Sequence, residues 1–139
     1  MKSKLIIDLA TARAVCNQAM NYATGQGWNV AVAVVDDGGH AVMVARTDGT
    51  SPVSVYIAQD KAKTAAIARR ETKVFEDEIN SGRVAFLNAP VKGALEGGIP
   101  LIAFEQTIGA VGVAGVKPHQ AAEVARASVA LFDQIISEL

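Results

Sequence analysis

Aromatic residues are scarce in this chain, with one Trp, two Tyr and four Phe among 139 residues, although half of all residues are hydrophobic. Ala and Val carry the apolar content instead. That composition suits closely packed helices and strands, and it leaves apolar surface over for a subunit interface. The single cysteine, Cys16, excludes an intrachain disulfide. It falls among Val15, Ala19 and Met20 at helical spacing, which reads as a buried structural thiol. Only two histidines, His40 and His119, stand far apart along the chain, which argues against a zinc site enclosed by protein donors. No apolar run reaches the roughly 18 residues of a membrane span. The opening MKSKLIID has too short a hydrophobic run for a secretory signal. Nor is there a basic block: 13 Lys+Arg stand against 14 Asp+Glu, for a net charge of -1. Nucleic acid and membrane are therefore poor partners, and the expectation is a soluble, cytoplasmic protein. Nucleophile-elbow, Walker-loop and paired-Cys patterns are absent.

What is present is patterned for one domain over residues 1–139, long enough to bury a sizeable core. Asp8 is placed to cap a helix to about Thr24, with Ala12, Val15, Cys16, Ala19 and Ala23 on one stripe. Trp28 to Arg46 reads as a hairpin. Val30, Val32 and Val34 alternate with Ala31, Ala33 and Val35, and Asp36-Asp37-Gly38-Gly39 supplies the reversal. Ser51 and Pro52 open a second helix to about Ala68, and Glu71 to Asn80 reads as a third. Val84 to Leu87 suggests a short edge strand. Ile99 to Phe104, interrupted by Pro100, and Thr107 to Val116 are further strands, with the turn at Glu105-Gln106. Pro118 begins the last helix. Strands paired through short turns predict an antiparallel sheet with helices gathered on a face, an α+β fold.

Several stretches in this order resemble the GlcG-like family, which includes HbpS-type haem-binding proteins and the C-terminal domain of PduO-type proteins. They are VVDDGGH at 34–40, ARTDG at 45–49, QDKAKTAA at 59–66, LEGGIP at 95–100 and IGAVGVAG at 108–115. The resemblance covers nearly the whole chain. It implies a profilin-like antiparallel sheet with helices packed on it, assembly into homo-oligomers, and a small-molecule ligand, with haem foremost. It also implies an alternative, an enzyme or accessory protein acting on a small hydroxy- or oxo-acid, as in glycolate utilisation. Where the family often carries Pro-Glu-Gln-Asp, this chain has Pro118-His119-Gln120-Ala121, so an acidic helix entrance is replaced by an imidazole.

His40, directly after the turn, is the candidate ligand to haem iron, or a base; the alternative is a surface histidine bonded to the turn. Asp36 and Asp37 suit turn-stabilising bonds better than acid–base work. The backbone donors at Gly97-Gly98 after Glu96, and at His119, are candidate anion sites. Arg46, Lys61 and Thr64 are candidates to hold a carboxylate, with ordinary salt bridges to Asp48, Asp60 or Glu96 as the alternative. The glycine-rich strand over 108–115 offers either a wall for a flat ring or a close packing surface.

Overall fold

The alternation at residues 30–35 decides how the layers form. In the computed structural model, which describes residues 1–139, Val30, Val32 and Val34 enter a core of 19 buried residues, and Ala31, Ala33 and Val35 enter a second of nine. The elements are α1 (Leu9–Gly25), β1 (Ala31–Asp36), β2 (Ala41–Arg46), α2 (Val53–Ala68), α3 (Lys73–Asn80), a 3-10 turn (Val84–Asn88), β3 (Gly98–Ala103), β4 (Gln106–Ala114) and α4 (Pro118–Ser137). The strands form one antiparallel sheet in the order β2-β1-β4-β3.

Helices cover both faces, not one as the element order alone suggested. The valine face packs against α1 and α4 through Val15, Cys16, Val124 and Phe132, all fully buried. The alanine face packs against α2 through Ala58, Ala62, Ala65 and Ala66. Small residues on both partners let the helix backbone come very close to the sheet. A Cβ on Gly112 would lie 2.2 Å from the Ala58 carbonyl oxygen and 2.5 Å from the Ala62 nitrogen. The glycine-rich strand is thus a packing surface for α2 and carries no open wall for a flat ring.

Most local expectations hold. Asp8 caps α1, accepting from the Thr11 N–H at 2.8 Å. Pro100 sits on β3, an edge strand, next to an irregularity between Leu101 and Ile102. The second reversal falls one residue earlier than expected, at Phe104 and Glu105, whose φ values of 50° and 64° are left-handed for non-glycine residues. Residues 84–88 are a 3-10 turn instead of an edge strand. Val84 and Leu87, three apart and on one side of such a turn, are both exposed, so neither face has apolar burial to favour a strand. The turn is held locally, with Phe86 edge-on to Phe75 at 5.6 Å and Arg83 over the Phe86 ring at 4.9 Å. No helix is long and apolar enough to cross a membrane.

Candidate functional site

The first hairpin is built around one carboxylate. Asp36 Oδ1 accepts the backbone N–H groups of Gly38 and His40, each at 2.9 Å, and the His40 ring Nδ1–H at 3.0 Å. Partial burial works against ionisation of Asp36, but the backbone N–H groups of His40 and Gly38 and the His40 ring outweigh it and hold the carboxyl below its ordinary value. An ionised carboxylate only accepts hydrogen bonds, so Nδ1 carries a proton, and in the neutral ring this tautomer leaves the lone pair on Nε2. The side chain of His40 is 81% exposed. A carboxylate that fixes the tautomer and orientation of an imidazole is the usual support behind a metal-ligating or proton-accepting histidine. Asp37 is occupied otherwise: it pairs with Lys4 at 3.1 Å, and its carbonyl accepts from Arg69 at 2.6 Å.

The tip rests on α2. A Cβ on Gly39, whose φ is +83°, would meet the Lys63 side chain at 2.7 Å and that of Ile67 at 3.3 Å. A lysine stem and an aliphatic side chain therefore lie against the turn glycine that precedes His40. Lys63 also lines a 210 Å³ cavity with Asp60, Thr64, Pro90 and Lys92. Lys92 in turn lies at the rim of a 450 Å³ apolar cleft between α3 and the 84–95 segment, walled by Ile79, Leu87, Val91 and Leu95. Hairpin tip, outer rim of α2 and cleft are linked along one side of the molecule.

A second group lies beneath α2. Lys61 is buried, and its ammonium donates to the Val113 carbonyl at 2.8 Å. Burial pushes its pKa down to about 8 against the opposing pull of Glu76 and Glu96. Gly97 allows the approach: a Cβ there would sit 3.0 Å from Nζ. Thr72, fully buried, accepts the Gly98 N–H at 2.9 Å and donates to the Leu95 carbonyl. Thr64 accepts the Gly93 N–H at 3.0 Å.

The structure thus brings Lys61, Glu96, Gly97 and Gly98 together, with Thr64 one turn along α2. Their polar atoms are largely committed to one another: Gly98 N–H to Thr72, Lys61 to Val113, Thr64 to Gly93. His40 stands apart at the hairpin tip, Arg46 at the exposed end of β2, and His119 exposed on the first turn of α4. Inspection of the sequence misses Thr72, Lys63 and Ile67. The i, i+4 spacing of Lys63 and Ile67 puts them on one helix face, but nothing local says that a hairpin tip lands there.

These features define a small α+β sandwich with an outward imidazole on one hairpin and an internal lysine under the glycine-bearing strand. Over residues 7–130 the chain matches the family described as haem degrading protein HbpS-like, and it belongs to that family. It is 46% identical over 113 residues to protein GlcG of Escherichia coli K12, covering 81% of this chain and 84% of that protein. Among solved structures it is similar to Klebsiella pneumoniae protein ORFY, with TM-score 0.86, 29% identity and 96% of each chain covered. It is also similar to a double mutant of Streptomyces reticuli HbpS, with TM-score 0.85, 27% identity, and 94% of this chain and 90% of that one covered.

Proposed function

We propose that this protein binds haem, with His40 Nε2 as the axial ligand to iron. The observation that carries the reading is the Asp36–His40 pair, an exposed imidazole whose proton is held on Nδ1 by a carboxylate. The surrounding donor set suits the group. Ile67 offers aliphatic contact to a porphyrin edge and Lys63 a cation for a propionate, both against Gly39 of the same tip. Membership of a family described by haem degradation supports the same ligand class. When bound, the iron would supply redox and oxygen chemistry; the chain's own residues orient the imidazole and neutralise the carboxylates. The reading also has the protein at work in the cytoplasm as a homo-oligomer. Holding a small hydroxy- or oxo-acid between Arg46 and Lys61 has less support, because Arg46 is exposed on β2 and Lys61 is enclosed beneath α2.

Titration of the purified protein with haemin, followed at the Soret band, tests this. Saturable binding is expected, with a red-shifted band. His40→Ala should abolish that shift, and Asp36→Asn should weaken binding by about 10–100-fold, as loss of an outer-shell partner does. An unsaturable titration, or a spectrum unchanged by His40→Ala, would overturn the proposal.

A further inference from the structure

Two hollows of opposite character meet beside α2. The first is the 450 Å³ cleft between α3 and the 84–95 segment, whose wall is mostly aliphatic, with Leu87 69% and Leu95 43% exposed. The second is the 210 Å³ cavity, whose wall of Asp60, Lys63, Thr64 and Lys92 is charged or polar apart from Pro90. Lys92 lines both, so the polarity changes across a single side chain. Backbone contacts fix this junction. A Cβ on Gly93 would sit 2.2 Å from the Asp60 carbonyl oxygen, and the Gly93 N–H donates to the Thr64 hydroxyl at 3.0 Å. That clasp sets Pro90 and Lys92 beside Asp60 and Thr64, and it makes the polar cavity the continuation of the apolar cleft.

We infer that the two hollows form one site for a medium-chain carboxylate, with the alkyl chain in the cleft and the carboxylate in the polar cavity at Lys92 and Lys63. The charges choose the head group. Two lysines stand there against one acid, Asp60, and none of the three joins the chain's ion pairs, which link Lys4 and Arg69 to Asp37, His40 to Asp36, and Lys73 to Asp77. A carboxylate at that place gains charge-assisted hydrogen bonds from cations that the fold leaves unpaired. Glu76, the one acid of the cleft, interacts with the buried Lys61 ammonium, which offsets its charge. The cleft chooses the tail. Its volume falls in the range of small-ligand pockets, and its aliphatic wall favours each methylene removed from water. The outer wall can adjust to the chain, because residues 83–95 contain only one buried residue, Gly93. This site is separate from the haem reading, since His40 lines neither hollow.

Isothermal titration calorimetry with octanoate and decanoate, below the concentrations at which they form micelles, tests the site. Decanoate should bind saturably and about tenfold more tightly than octanoate, since each extra methylene buried contributes up to about fourfold. Decyltrimethylammonium, with the same tail and the opposite charge, should bind at least about tenfold more weakly than decanoate. Lys92→Glu should weaken decanoate by at least about fivefold and narrow that preference, and Leu87→Asp should weaken both amphiphiles. Both residues are exposed, so circular dichroism of the variants should match that of the parent chain. His40→Ala should leave decanoate binding unchanged. Decanoate should also slow amide exchange in 84–95 while leaving β1 as it was. No saturable binding, or decanoate binding that Leu87→Asp leaves intact, would overturn the site. Decyltrimethylammonium bound as tightly as decanoate, or Lys92→Glu without effect, would overturn the carboxylate.

Discussion

Lys61 carries a charge into a place where a single backbone oxygen meets it, and this gives the chain a pH signature. Burial lowers its pKa from 10.5 to about 8, with Glu76 and Glu96 resisting. Below about pH 8 the folded and unfolded chains both hold the proton and the folded state bears the full cost of burying the charge. Between about 8 and 10.5 the unfolded chain still holds a proton that the folded chain has released. Stability from this group therefore rises with pH across that window. Lys61→Met removes the titration while leaving the Val113 carbonyl without its donor, a loss of about 1–3 kcal/mol that does not depend on pH. Urea unfolding at each end of the window should show the parent chain gaining on the variant as pH rises. A constant difference between the two would mean that the lysine keeps its ordinary pKa. Cys16 behaves as the helical spacing suggested: buried in the main core, its thiol is raised to about 11 and stays inert.

At the scale of elements, α2 depends on what is missing from β4. The 2.2 Å and 2.5 Å approaches at Gly112 are to helix backbone, which cannot rotate away as a side chain can. Gly112→Ala should therefore cost at least about 1–3 kcal/mol, the range for overpacking a core, and shift the urea midpoint down. An unchanged midpoint would show that α2 can ride higher on the sheet. The strands themselves were legible, because period-two alternation at 30–35 and 107–114 is a local signal. So was the Asx-type support of the first turn by Asp36. Which face each helix covers was not legible, since alanine stripes suit either side and only the unequal sizes of the two strand faces decide. The 84–88 turn escaped for a related reason: its apolar residues suggest a strand, and its lack of a buried face shows only in three dimensions. For the candidate site, His40 was visible beside its turn, but the lysine and aliphatic side chain that pack on the adjacent Gly39 come from a helix 23 to 27 positions after His40.

The whole molecule distributes its stability unevenly. The cores of 19 and nine buried residues meet at β1 and β4, the two central strands. Residues 83–95, in contrast, contain only one buried residue, Gly93, and their 3-10 turn is held by short-range hydrogen bonds. Amide exchange should be slowest in β1 and β4 and fastest in 83–95, where opening needs no loss of core contacts. Deuterium uptake read by mass spectrometry gives the ranking directly; equal protection of the two regions would contradict it.

Gly93, Gly98 and Gly112 each bring their backbone against that of α2, at Asp60, Lys61 and Ala58–Ala62 in turn. A helix clasped from beneath and from the flank has no latitude to accept bulk on those sides. Added bulk is better accommodated on its outward rim, which makes that rim the natural palette for anyone wishing to redirect what this scaffold meets without disturbing how it holds together.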